Sequence, residues 1–215
     1  MTCHICHHPT ELFLDEKSGI IYYRCDGCGV IFKDPQGYQD LDQQKQRYDL
    51  HDNSEDHSGY QAYFQRFLAV VLPCVGAPEL ALDFGCGRST LLASMLEAKG
   101  ISCRYYDPIY FPDVSYKETR YDLIVSTEVF EHLHHPREVF ELLVGTLNAG
   151  GYLAIQTQFY PQDIEVFKKW YYHQDATHIV FFTLKTFEWL AKRFNCTLIA
   201  DNQKNIVVIQ KNLKE

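Results

Sequence analysis

What this chain of 215 residues has little of already narrows its class. Its longest apolar run, "FLAVVL" at residues 67–72, is far short of the roughly 20 residues that span a bilayer. The opening "MTCHICHH" lacks the charged start and apolar stretch of a secretory signal. A soluble, cytoplasmic protein with no membrane contact is expected. Basic charge is also scarce, with 20 Lys and Arg against 28 Asp and Glu and a formal net charge of −8. That balance argues against broad binding to nucleic acid or anionic surfaces. There is no internal repeat and no low-complexity tract. With 46% hydrophobic residues, the chain can bury a core and disorder is not its default. The length suits one α/β domain with a small appendage.

Eight cysteines are present, in two groups. Cys3 and Cys6 in "CHIC" and Cys25 and Cys28 in "CDGC" form two CxxC pairs. Two such turns present four thiolates to one tetrahedral ion, the pattern of a zinc ribbon. Gly27 and Gly29 suit the tight knuckle. A segment of this size cannot build a stable core unaided, so a metal is the natural staple. Disulfides or a redox CxxC are the alternatives. His4, His7 and His8 stand nearby as substitute ligands. Cys74, Cys86, Cys103 and Cys196 are scattered and read as small buried hydrophobes.

The ribbon covers residues 1–34, and a polar stretch with turn formers, 35–58, reads as a linker or arm over a site, with Tyr48, His51 and Asn53 in it. From Tyr60 onward Tyr63, Phe64, Phe67, Leu68 and Val71 share one helical face, ended by Pro73. Strands and helices then alternate over 59–215: "LALDF", "STLLASMLEAK", "SCRYYD", "YDLIVS", "PREVFELLVGTL", "GYLAIQT", "LKTFEWLAKRF" and a closing hairpin of "TLIAD" and "IVVIQ". Alternation of this kind makes a mostly parallel sheet with helices on both faces, and the hairpin adds an antiparallel strand.

"LDFGCGRST" places two glycines between a strand and a helix, where a ligand can approach bare backbone amides. The third glycine of a dinucleotide fingerprint is missing, and Asp83 before the loop would repel phosphate while suiting an amine. Asp107, ending the next strand in "YYDP", stands where a carboxylate accepts both ribose hydroxyls. These features fit an adenosyl ligand without phosphates. Residues 60–215 resemble the class I S-adenosylmethionine-dependent methyltransferases, through "LDFGCGRST", "YYDP", "YDLIVSTEVFEHL" and "LNAGGYLAIQT" in order. The resemblance implies a Rossmann-like α/β fold with a seven-stranded sheet and methyl transfer from S-adenosylmethionine. It puts Asp83, Gly85, Cys86 and Gly87 at the methionine end of the cofactor, Asp107 at its ribose, and Thr127 and Glu128 near the sulfonium. Only thirteen residues separate Asp107 from Tyr121, too few for a helix and a full third strand. Tyr106, Ile109 or Tyr110 are left to wall the adenine. Ribbons ahead of this domain occur in relatives acting on ribosomal RNA and on nucleotide-linked sugars, and this chain looks more like the second kind, or like bacterial relatives of unassigned substrate that share the "RYDLHDN" arm.

Residues 159–189 hold ten aromatic residues, including both tryptophans, and should lie over the substrate side of the sheet. Trp170, Tyr171 and Tyr172 are candidate substrate walls together with Tyr48 and His51, and His178 is a candidate general base. In "EVFEH", Glu128, Glu131 and His132 would share a helix face. With His178 they could hold Mg²⁺ or another divalent ion, a pattern similar to the metal site of small-RNA 2′-O-methyltransferases and some quinone-pathway O-methyltransferases. Otherwise Glu128, His132 and His178 are active-site wall or acid–base groups. The acceptor is expected to be a small or medium-sized molecule. The alternatives are a partner-binding protein that keeps the fold and docks through its ribbon, and an RNA methyltransferase.

Overall fold

The computed structural model describes residues 1–38 and 57–213. Tyr48, His51 and Asn53, expected in an arm over the site, lie outside the described residues. The chain begins with β1 (Glu11–Asp15), β2 (Ile20–Arg24) and β3 (Ile31–Lys33), then α1 (His57–Val71). The alternating part runs β4 (Leu80–Phe84), α2 (Leu91–Glu97), β5 (Ser102–Tyr106), β6 (Tyr121–Thr127), α3 (Pro136–Thr146) and β7 (Leu147–Gln156). It continues through α4 (Ile164–Phe167), β8 (Val180–Phe181), α5 (Leu184–Arg193), β9 (Cys196–Asp201) and β10 (Ile206–Lys211). No described helix is long and apolar enough to cross a membrane.

The central sheet has the order β5-β4-β6-β7-β10-β9, parallel through β7 and closed by the antiparallel β10 and β9. Six strands stand where seven are expected. After Asp107 the chain makes one bridge to Phe111 and a 3₁₀ turn over Val114–Glu118 instead of a third edge strand. Strand alternation divides the core. Leu123 and Val125 of β6 face Phe67, Leu68, Val71, Leu92 and Leu96 of α1 and α2. Ile124 faces the opposite side, with Phe140 and Leu143 of α3 and Phe187 and Leu190 of α5. On α1 the expected stripe is buried only from Phe67 onward, and Tyr60 is 61% exposed. Of the four scattered cysteines only Cys196 is buried; Cys74, Cys86 and Cys103 are half-buried.

A second sheet, β1-β2-β3-β8, is antiparallel and joins the N-terminal strands to the later chain. Ile31 pairs with Phe181 and Phe32 with Val180. Cys3, Cys6, Cys25 and Cys28 are buried together, their sulfurs all within 4.8 Å of one another. Cys3 and Cys28 Sγ are 3.6 Å apart and Cys6 and Cys25 Sγ 3.3 Å. A tetrahedral zinc with bonds of about 2.3 Å needs sulfurs about 3.8 Å apart, so the set is close to that shape. The Ile5 amide donates to Cys3 Sγ at 3.4 Å, as knuckle amides do to thiolates. His4 instead stacks on Phe32, 4.5 Å between ring centroids.

Gly29, just after the last cysteine, locks this unit to the start of α5. Its φ is +75°, and its carbonyl accepts from Tyr160 Oη at 2.8 Å and Thr183 Oγ1 at 3.2 Å. A Cβ on Gly29 would sit 2.7 Å from Thr183 Oγ1, whereas one on Gly19, with φ of +71°, would meet nothing within 4 Å. Both Ala variants carry the left-handed backbone cost, of order 1–3 kcal/mol. Gly29→Ala is therefore expected to lower stability in denaturant melts by clearly more than Gly19→Ala. Equal losses would mean that the Thr183 contact is slack.

Candidate active site

The candidate groups sit at the carboxyl ends of the parallel strands, where open α/β sheets take their ligands. β4 runs into Gly85-Cys86-Gly87, whose glycines have φ of +80° and +64°. A Cβ on Gly85 would strike Val129 Cγ2 at 2.3 Å. A Cβ on Gly87 would meet nothing within 4 Å, so this backbone borders open space that a side chain would fill. The amides of Gly85 and Cys86 donate to the Tyr106 carbonyl at 2.7 and 3.1 Å. Asp107 fixes the loop from β5: Oδ2 accepts from the Gly87 amide at 3.1 Å, and Oδ1 from the amides of Ile109 and Tyr110 at 2.8 and 3.0 Å.

A cleft of about 770 Å³ opens on this loop, lined by Gly85, Cys86, Gly87, Asp107, Thr127 and Glu128. Tyr106, Ile109 and Tyr110 also line it. Arg88 of the loop stacks over Tyr110 at 4.9 Å. Asp83 is outside the lining. It is 2% exposed behind the loop, where burial and then the charge of Asp107 push its carboxyl up to about 7. Asp83 thus backs the loop from behind.

A second cavity of about 840 Å³ adjoins the first. Tyr171, Tyr172, Gln174, Asp175 and His178 line one side, and Tyr60, Tyr63 and Arg66 of α1 another. Trp170 lines neither. It packs on Tyr172, ring centroids 4.9 Å apart. Tyr60, Tyr63 and Glu128 line both cavities.

The helix expected across "EVFEH" is a single 3₁₀ turn at Phe130–His132, and Glu128 precedes it with φ of +53°. A left-handed backbone on a non-glycine residue persists where its surroundings enforce it. Here the Glu128 amide donates to the Gln156 carbonyl at 2.9 Å, and Tyr63 Oη donates to Oε1 at 2.6 Å. Tyr172 Oη lies 3.0 Å from Glu128 Oε2 and 2.5 Å from Glu131 Oε1. The two glutamates therefore meet through one phenol rather than as neighbours on a helix face. Burial, and then the Glu131 charge, push the Glu128 carboxyl up to about 8. Burial raises Glu131 as well. One phenolic proton serves two carboxyl oxygens, so the cluster is best satisfied when the pair holds one proton of its own.

His132 Nδ1 lies 3.0 Å from the Thr177 carbonyl and His178 Nδ1 2.8 Å from that of Tyr172. A carbonyl only accepts, so both Nδ1 atoms carry the proton and both Nε2 atoms present lone pairs. Burial holds both imidazoles down at about 4, so they are neutral at pH 7. Glu131, His132 and His178 offer ligand atoms within 4.8 Å of one another; Glu128 is not in this set. Glu131 is fully buried and its Oε2 makes no hydrogen bond among the described residues, while the nearby Thr157 hydroxyl offsets part of the rise in its pKa. Two imidazoles oriented through Nδ1 beside a buried carboxylate fit a cation, although the Glu131 oxygen 3.9 Å from His132 Nε2 is Oε1, which Tyr172 already holds.

The arrangement thus brings Glu128, Glu131, His132, His178 and Tyr172 together, with the glycine loop and Asp107 across the shared border. Tyr63 escaped sequence reasoning as a site residue because its position also fits a helix core face. A tyrosine where phenylalanine would pack was the available hint.

No curated protein sequence matches the chain. Among solved structures it is similar to the 1,6-didemethyltoxoflavin-N1-methyltransferase of Burkholderia thailandensis, determined with 1,6-didemethyltoxoflavin and S-adenosylhomocysteine, at 15% identity and a TM-score of 0.62. That match covers 95% of this chain and 100% of the other. An O-methyltransferase family protein of the same organism gives 13% identity and a TM-score of 0.54, covering 72% of this chain and 57% of that one. Mitomycin 7-O-methyltransferase gives 12% and 0.53, covering 72% and 54%. The chain spans little more than half the length of these last two, and at such identities the likeness is one of fold. The methyltransferase domain model matches residues 32–201, most of the chain and both borders of the site. The chain belongs to the methyltransferase domain family.

Proposed function

We propose that this protein transfers a methyl group from S-adenosylmethionine, bound in the cleft on the glycine loop, to a small-molecule acceptor in the adjoining cavity. The observation that carries this reading is the junction: two cavities meet at Tyr63 and Glu128. When bound, the cofactor supplies an electrophilic methyl group on a sulfonium. The residues of the chain bind, align and handle the proton. The Gly85–Gly87 backbone and Asp107 hold the nucleoside side. Tyr60, Tyr171 and Tyr172 wall the acceptor. Glu128, held by Tyr63 and Tyr172, takes the proton of an acceptor hydroxyl or amine as the new bond forms. Alignment carries most of the rate, with base assistance secondary. The structural neighbour with S-adenosylhomocysteine and a small heterocycle in its name supports this choice, and the net charge of −8 speaks against RNA.

Calorimetry with S-adenosylhomocysteine tests the cofactor half. Wild type should bind it, and Asp107→Asn should bind at least tenfold more weakly, about 1.4 kcal/mol. Absence of binding to wild type at millimolar ligand sinks the reading.

Glu128 gives a pH signature of opposite sign in two measurements. Its pKa rises from roughly 4.3 when unfolded to about 8 when folded. Its contribution to stability is full below the unfolded value and is lost as pH rises through about 8. Its competence as a base grows over the same range. Thermal melts of wild type should fall from pH 5 to 8.5 more steeply than those of Glu128→Gln. Parallel curves would show that Glu128 is not perturbed.

The four buried cysteines are assigned a structural zinc, measurable as one equivalent per chain by metal analysis. A second reading gives Glu131, His132 and His178 a divalent ion, favoured by ligand atoms within 4.8 Å of one another around a fully buried carboxylate. Two imidazoles with one carboxylate suit Mn²⁺, Zn²⁺ or Fe²⁺ better than Mg²⁺. Such an ion would lower the pKa of an acceptor hydroxyl. Added Mn²⁺ should raise the melting temperature of zinc-loaded wild type and leave Glu131→Gln, with the same zinc content, unmoved. An identical response of the two removes the ion.

A further inference from the structure

Lys33 ends β3 of the cysteine-bearing unit and is 7% exposed, unusual for a side chain that is seldom buried. Its Nζ donates to the Asp175 carbonyl at 2.7 Å and lies 5.8 Å from the Phe181 ring. Its backbone amide donates to the Ile179 carbonyl at 2.9 Å. One residue thus grips both ends of segment 175–179. Three contacts of the candidate site run through that segment, while His173, next to Tyr172, is held separately by Tyr22 Oη at 2.9 Å. The Thr177 carbonyl orients His132, and His178 reaches back to the Tyr172 carbonyl. The Ile179 amide donates to the Glu131 carbonyl at 2.8 Å, on the far side from Lys33. Tyr172 then bridges the two glutamates. Within the segment Asp175 Oδ1 accepts from the Thr177 amide and hydroxyl, a local turn that sets its shape but does not attach it to the rest of the fold.

We infer that Lys33 is a positioning residue for the acceptor side of the site: a staple from the cysteine-bearing unit that fixes segment 175–179, and through it Tyr172, His132 and His178. This deepens the methyltransferase reading and rests on it for what the side chains do once placed. It assigns the N-terminal unit a task inside the active site. The glycine loop and Asp107, which carry the cofactor cleft on β4 and β5, lie outside the stapled segment, and only His132 on the cleft wall is shared with it.

Hydrogen–deuterium exchange of the full chain, loaded with zinc, tests the staple without knowledge of the acceptor. In Lys33→Met, peptides covering 172–179 should exchange at least tenfold faster, while those covering 20–32 and 82–90 stay within twofold of wild type. Zinc content and S-adenosylhomocysteine affinity should also stay within twofold. Lys33→Arg keeps a charged donor and should return 172–179 to within threefold of wild type. Lys33→Gln, too short to reach the carbonyl, should behave as Lys33→Met and is read if the latter does not fold. Unchanged exchange over 172–179, or a change spread evenly over the chain, overturns the proposal. So does failure of both neutral variants to fold, which would make Lys33 a general core residue, or failure of Lys33→Arg to restore protection. Wild type that binds no S-adenosylhomocysteine while the exchange difference persists would refute the methyltransferase reading and leave the staple standing.

Discussion

Two carboxyl groups buried within reach of one phenol form the constraint on which the site depends. Left alone, Glu128 and Glu131 would repel each other in a medium too poor in water to screen them. The chain answers with hydroxyls and a shared proton rather than with cations. Tyr63 comes from the helix before the sheet, Tyr172 from the aromatic turn after it, and both converge on the end of β6. Each donor arrives on a different element, so the acids can be held this close only when α1, β6 and the 171–178 turn are all in place. The left-handed backbone at Glu128 belongs to the same bargain of geometry, aiming the carboxyl at the border of the two cavities.

The division of labour across that border follows from topology. On the proposed reading, the cofactor side is made by consecutive strand-to-helix turns whose residues are near in sequence. On that reading the acceptor side is assembled from α1, the turn after β7 and, behind it, strands β1 to β3. Family members that differ in acceptor can therefore vary one side while keeping the other, as expected where function is grafted onto a shared fold.

That contrast also explains what was legible beforehand. The glycine loop, Asp107 and the alternation of strands and helices are local patterns, and β4 to β7, β9 and β10 lie where hydropathy placed them. The paired cysteines announce their cluster by spacing alone. The missing edge strand could be seen coming from thirteen residues too few, although the expected strand number did not follow that hint. What sequence could not carry was non-local. β8 is two residues long and leaves no periodicity to read. Its partner is a strand some 150 positions earlier. The helix inferred over "EVFEH" failed because Glu128 leaves αR space, and its i, i+3, i+4 spacing then means nothing. His178 was picked out by its polarity among aromatics. Lys33 looked like any surface lysine.

The pairing of Ile31 with Phe181 has a consequence for how the protein is made. The cysteines emerge from the ribosome some 150 residues before the strand that completes their sheet. At a synthesis rate of roughly 5–20 residues per second, the thiols wait for many seconds beside an unfilled sheet edge. A metal ion captured in that interval would hold the knuckles shut against oxidation and keep the edge from pairing with a neighbour until Val180 and Phe181 arrive.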